Sequence, residues 1–257
     1  MSYPLLRQGD RLPAVGVLQK LLNRAGASLT CDGDFGSRTR AAVVQFQSTR
    51  GLGADGVVGG LSWPRISANA NLPVVDCIDV FDPSLASLEA QDIRRAGGNP
   101  LVIGGMSNGV EQAVNDIVRA SHNVFLLRFH GHGAPGTASV SSGHGELDPS
   151  MAHRADITLS NLATIRPILA RLRGVFGPYG CVQFMHCETG RGPDGRRLLQ
   201  SIANELGVPV SAGINTQYGG GTKTFRFEGP TFTALPSGRT LASWSSALPN
   251  FPGFSPR

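Results

Sequence analysis

The hydrophobic rhythm of the chain changes near residue 67. Before that point apolar residues recur at helical spacing: Val15, Leu18, Leu21 and Leu22 share one face of PAVGVLQKLLNRAG, as do Ala42, Val43 and Phe46 in SRTRAAVVQFQSTRG. Two helices and a short third are expected there. SANANLP, Ser67 to Pro73, is small, polar and proline-ended, which fits a linker. Beyond it VVDCIDVF, PLVIGG, VFLLRF, CVQFM and VPVSAG read as strands, PLVIGG as a buried one. They alternate with helical stretches: SLASLEAQDIRRAGG, NGVEQAVNDIVRAS, TLSNLATIRPILARLRGVFG and DGRRLLQSIANELG. Val110, Val114, Ile117 and Val118 are expected to face inward, and Ser160 to cap the third helix. TKTFRFEGPTFTALP reads as a hairpin around Glu228-Gly229-Pro230, and ALPNFPGFSPR as an irregular tail. Such alternation predicts an α/β fold with a mostly parallel sheet, right-handed crossovers and helices on both faces. The expected division is a helical domain over 1–67, a linker over 68–73 and an α/β domain over 74–257.

Composition adds bounds. The 257 residues suffice for two domains, and an apolar fraction of 40% is ordinary for a globular protein. Of the net charge of +5, residues 1–67 carry +4. That excess would attract an anionic polymer such as cell wall or nucleic acid, yet it equally describes a solvated surface. No segment has the ~18 apolar residues of a membrane span, and MSYPLLRQGD lacks the pattern of a secretory signal. Cys181 and Cys187 stand at the two ends of one extended run, roughly 20 Å apart. A disulfide needs Cα atoms within about 7 Å, so the four cysteines do not read as a disulfide framework.

A phrase recurs in the helical part. Asp32-Gly33-Asp34-Phe35-Gly36 and Asp55-Gly56-Val57-Val58-Gly59 are offset by 23 residues, each a glycine turn before a helix start. With LRQGDRLPAVGVLQKLLN, DGDFGSRTRAAVVQFQ and DGVVGGLSW, residues 4–66 resemble the three-helix peptidoglycan-binding domain of bacterial wall hydrolases. The resemblance implies a shallow groove for wall peptide or glycan near Asp32, Asp55 and the helix after the first turn. The six motif residues themselves read as turn architecture, and Cys31 as packing.

The candidate chemistry lies in two strand ends. NVFLLRFHGHGAPG, 123–136, delivers His130 and His132, and CVQFMHCETGRGPDG, 181–195, delivers Cys187. In a parallel sheet the carboxyl ends of strands share one crevice, so the two can meet. A free thiol is only a few per cent thiolate at pH 7, so a nearby imidazole is needed to activate it. The order Gly131-His132-Gly133, then Cys187, then GRRLLQSIANELGVPVSAG resembles the caspase-like cysteine peptidases, the clan of gingipain and separase. It implies a three-layer caspase-like α/β domain with His132 and Cys187 as a catalytic dyad. The oxyanion hole would be the backbone N–H groups of Gly133 and Cys187. No Gln-Ala-Cys-x-Gly is present, so aspartate specificity is not implied.

The same residues have other readings. His130 and His186 are expected to be structural, each facing away from its reactive neighbour. Cys187 taken alone suits a buried structural thiol. Glu188 would either select a basic substrate group or be solvated, and Asp76 or Asp79 would orient an imidazole. His130-x-His132, with His144, His153, His186 and Cys187, has the residue types of a zinc site, although the Asp/His follow-on of His-x-His-x-Asp-His is lacking. A catalytically inert wall-binding protein is a third reading. The leading expectation is a wall-targeted cysteine hydrolase acting on peptide or amide bonds of the wall, the alternative being a protein-cleaving caspase-like peptidase tethered to the wall; the partners are peptidoglycan and a peptide or protein substrate. No cofactor, metal, nucleic acid or membrane enters that reading. The place of action is the cell wall or periplasm after non-classical delivery, otherwise the cytoplasm.

Overall fold

The computed structural model describes residues 1–80, 82–104, 109–140 and 155–252. The chain forms two compact units: Tyr3–Leu72 with Arg239–Arg257, and Met1–Ser2 with Pro73–Gly238. The carboxyl-terminal segment therefore groups with the helical unit, whereas the sequence pattern assigned it to the α/β domain.

In the helical unit α1 (Pro13–Arg24), α2 (Ser37–Thr49) and α3 (Trp63–Ile66) appear where the periodicity places them. Val15, Leu18, Leu21, Leu22, Val43 and Phe46 are buried, while Ala42 stays at the edge. The last helix of the chain, α8 (Leu241–Ala247), is capped by Thr240 and buries Trp244 and Ser245. It lies so close to α1 that a methyl group on Gly16 would fall 2.7 Å from Ser245 Cβ.

The two Asp-Gly turns are held by the same device. Gln19 of α1 donates to Asp32 Oδ1, Asp34 O and Thr39 Oγ1 at 2.8, 3.0 and 3.2 Å. Its Oε1 accepts from Gly33 N at 2.9 Å. Gln47 of α2 repeats the pattern on Asp55 Oδ1, Val57 O and Ser62 Oγ at 2.9, 2.9 and 3.1 Å. Gly56 N closes the second hub at 2.9 Å. Gly33 and Gly56 have φ of 78° and 75°, which a side chain tolerates poorly. Gln47→Ala orphans several buried polar atoms and is expected to cost the helical unit about 2–3 kcal/mol. Denaturation followed by tryptophan fluorescence checks this, since Trp63 and Trp244 both belong to that unit.

The α/β unit is built on β1 (Val74–Asp79), β2 (Leu101–Ile103), β3 (Val124–His130), β7 (Phe176–Phe184), β8 (Val210–Gly213) and β9 (Thr231–Ala234). Their order is β2-β1-β3-β7-β8-β9, with β9 antiparallel to β8 and every other pair parallel. A second, antiparallel sheet holds β4 (Gly133–Ala134), β5 (Thr137–Ser139) and β6 (Asp156–Thr158). One face of the large sheet packs Ile78 on Ala86, Ala90 and Ile93 of α4 (Pro83–Arg95). The other packs Leu127, Phe129, Val182 and Phe184 with α5 (Gly109–Ala120), α6 (Leu162–Leu169) and α7 (Gly192–Leu206).

Some expectations change here. β2 is an edge strand, and Val102 is 46% exposed rather than buried. Val118 is 40% exposed, on the outer margin of α5. Asn161 precedes α6, and Ser160 bonds Thr158 Oγ1 at 2.8 Å instead of capping. The long third helix ends at Leu169 and tightens into a 3-10 turn over Ala170–Val175. Around Glu228 there is no hairpin among the described residues: Gly221–Phe225 is a 3-10 turn whose Thr224 donates to Asp92 of α4 at 3.1 Å, and β9 pairs with β8.

Candidate functional site

β3 and β7 are adjacent and parallel, with Phe129 opposite Phe184, so the turns that follow them leave the sheet at the same edge. A continued strand would turn His130 and His132 to one face. β3 ends at His130, and the two part company: His130 is buried, whereas the His132 side chain is 48% exposed. The second turn comes against the first at Gly133. A methyl group there would lie 2.6 Å from Thr189 Oγ1, 2.7 Å from His186 Cβ and 3.0 Å from Cys187 O. Only glycine fits so close an approach.

Cys187 is half-buried, and the other three cysteines are buried free thiols. Its Sγ donates to Gln217 O at 3.2 Å and accepts from Gln217 N at 3.3 Å. Gln217 is in turn fixed by its own side chain, which accepts from Glu228 N at 2.7 Å. Glu188, directly after the cysteine, has φ of 55°, a left-handed conformation that a non-glycine residue rarely holds. Its N–H donates to Asn215 O at 3.1 Å, and its carboxylate pairs with Arg191 at 2.9 Å.

His132 Nε2 stands 3.8 Å from Asp82 Oδ2, an ion-pair separation longer than a hydrogen bond. Asp76 does not orient this imidazole. It lies on the α4 face of the sheet, accepting from Arg128 Nε at 2.6 Å and facing His130 Nε2 at 3.1 Å. Asp79 is buried, with its Cβ near Gly131. Burial alone would lower the His130 pKa, but Glu89 and Asp76 outweigh it and raise it to about 9. His186 is buried and donates from Nε2 to Ser139 O at 2.7 Å; burial pulls its pKa down to about 4, so it is a neutral ring. Both histidines expected to be structural are buried and have polar partners. Asp82 and Gln217, which lie against His132 and Cys187, were not singled out by the sequence pattern.

In the helical unit the carboxylates of Asp32 and Asp55 each accept from a glutamine and from a turn N–H. An open groove of about 300 Å³ lies beside the first turn, lined by Leu29, Asp32, Asp34, Arg38 and Thr39. A second, of about 270 Å³, lies beside the other, lined by Leu52, Asp55, Val57, Leu61 and Ser62. Among the described residues no group of three or more His, Cys, Asp or Glu could hold a metal ion. His144 and His153 fall outside the described residues. No helix among the described residues is long and apolar enough to cross a membrane.

Residues 11–63 match the family described as "putative peptidoglycan binding domain". A curated relative, an uncharacterized protein in the bpoA1 3' region of Kitasatospora aureofaciens, is 41% identical over 78 residues, 28% of this chain and 66% of its own length. The zinc D-Ala-D-Ala carboxypeptidase of Streptomyces albus G is 51% identical over 41 residues, 16% of each protein. The alignments thus span less than two thirds of the length of these relatives. Among solved structures, a peptidoglycan-binding protein from Clostridioides difficile in complex with glutamine hydroxamate is similar over 25% of this chain and 41% of its own, at 35% identity and a TM-score of 0.25. A Burkholderia AP3 phage endolysin is similar over 35% of this chain and 33% of its own, at 40% identity and a TM-score of 0.25. The amino-terminal part of the chain thus matches a peptidoglycan-binding domain over residues 11–63.

Proposed function

We propose that this chain is a wall-targeted cysteine hydrolase that cleaves peptide or amide bonds of peptidoglycan. The observation that carries the reading is the meeting of the two strand-end turns: Gly133 packs against the Cys187 turn with no room for a side chain, and Glu188 is held in a strained conformation beside the thiol. Strain of this kind persists where surrounding structure over-determines it, and it gathers at active sites. The neighbouring parallel strands β3 and β7, followed by α7 and β8, support the caspase-like interpretation of the domain.

In the proposed reaction His132 takes the thiol proton as Sγ attacks the carbonyl carbon. The N–H groups of Gly133 and Cys187 hold the resulting oxyanion. Collapse expels the amine, which receives its proton from His132, and water then hydrolyses the thioester to the acid and the free thiol. Substrate must displace Gln217 from the sulfur first, since its backbone N–H and C=O now occupy Sγ. The peptidoglycan-binding domain raises the concentration of enzyme at its substrate without touching the scissile bond. The module match with a protein named as a zinc D-Ala-D-Ala carboxypeptidase supports placing the substrate in the wall.

Digestion of purified sacculi with wild type and Cys187→Ala tests this reading. The wild type is expected to release wall fragments of changed mass. Cys187→Ala should sediment with sacculi equally well and release them more slowly by about 10³-fold or more, the scale on which removing a nucleophile acts. Unchanged fragment masses with the wild type, or full activity in Cys187→Ala, would overturn it.

A further inference from the structure

We infer that Asp82 is a positioning residue for His132, a third member of the site that the spacing of the sequence motifs does not announce; this rests on the dyad reading. Asp82 caps α4. Its Oδ1 accepts from Ser84 N and Leu85 N, both at 3.0 Å, which fixes the carboxylate plane. The other oxygen, Oδ2, is the one aimed at His132 Nε2, 3.8 Å away. The two cap bonds hold the Asp82 carboxyl below the usual carboxylate range, with His132 adding to that, so it is an anion throughout the neutral range.

A cap has no need of a charge. Asn and Ser cap as well as Asp, so the carboxylate's second oxygen is the part that capping leaves unexplained. An imidazole that accepts the thiol proton becomes a cation, and an anion on its far side favours that form. With Nε2 turned to Asp82, the transfer from sulfur is assigned to Nδ1. Of the other titratable groups around this corner, His186 is a buried neutral ring and Asp76 is engaged by Arg128 and His130, so neither supplies the charge; Asp79 lies buried with its Cβ near Gly131.

The test is the pH profile of iodoacetamide alkylation at Cys187, read by peptide mass spectrometry, in wild type, Asp82→Asn, His132→Ala and the double variant. Asn keeps an oxygen for Ser84 N and Leu85 N, so Asp82→Asn is expected to retain the wild-type melting temperature. Its alkylation rate near pH 6.5 should fall about two- to five-fold, the scale of a half-exposed ion pair, with the rate above pH 9 unchanged. The double variant should be no slower than His132→Ala, because Asp82 acts through the ring. If His132→Ala alters the profile and Asp82→Asn does not, Asp82 is only a helix cap and the dyad survives. If neither alters it, the dyad itself fails and this inference falls with it. A loss that is equal at all pH values would mark a structural effect and also overturn the positioning role.

Discussion

At pH 7 iodoacetamide is expected to modify Cys187 well ahead of every other thiol of the native chain, and His132→Ala is expected to remove most of that advantage. Only the thiolate reacts at a useful rate. Cys181 is buried, and burial pushes its pKa up to about 12; Cys77 is driven higher still by burial and by nearby Asp79, Asp116 and Asp76. A thiol at 12 is thiolate in about one part in 10⁵ at pH 7. Cys31 is raised as well, chiefly by burial. Cys187 is the half-buried one, so access favours it, and the proposed dyad would add activation by His132. A hydrolytic dyad requires its reaction at pH 7 to exceed that of a model thiol and to drop about tenfold or more in His132→Ala. Slow labelling of Cys187 that ignores His132 would refute the mechanism, and metal analysis of the purified chain would then be the next measurement.

The parts of this molecule legible from sequence are those written in periodicity and turn chemistry. The Asp-Gly repeat announced two equivalent turns, but not the glutamines that hold them. Their signal was present: Gln19 and Gln47 are polar residues set in apolar helical faces, VLQKLL and VVQFQS, and a polar residue in such a stripe is either an error of register or a hub. Asp82 carried a signal that the periodicity did not use, because Asp-Pro-Ser is a helix start. Its relation to His132, fifty positions away, exists only because β1 lies beside β3 in the sheet. Gln217 carried no signal at all, since it meets Cys187 through backbone atoms that every residue possesses. The helix α8 escaped notice because it is short and polar, with Trp244 and Ser245 as its buried residues. The caspase-like interpretation rests on motifs of a few residues, too short to name a substrate.

Beneath the candidate site, the buried charges of the α4 face are expected to make Arg128→Met the most destabilising single change in the α/β unit, by about 3–5 kcal/mol. Arg128 is fully buried, bonded through Nε to Asp76 at 2.6 Å and through Nη2 to Ser2 O, and its guanidinium lies 5.4 Å from the centre of the Phe225 ring. Removing it leaves His130 as the cation paired with Asp76 and Glu89 among the described residues. The same network sets a pH window. His130 is raised from about 6.5 when unfolded to about 9, so its contribution is full below pH 6.5 and is lost as pH rises through 9. His186 is lowered to about 4, so its contribution is present above pH 6.5 and is lost as pH falls through 4. Each shift corresponds to about 3 kcal/mol, so these two histidines together favour the fold most near pH 6.5. Fluorescence would miss this, because both tryptophans lie in the helical unit. Amide exchange in β3 reads it directly. Protection there should decline from pH 6.5 to 9.5 after correction for intrinsic exchange, and His130→Gln should flatten that alkaline limb while lowering stability at pH 6.5. A flat profile in the wild type would mean that His130 is neutral in the fold, and that Arg128 alone balances the two buried carboxylates.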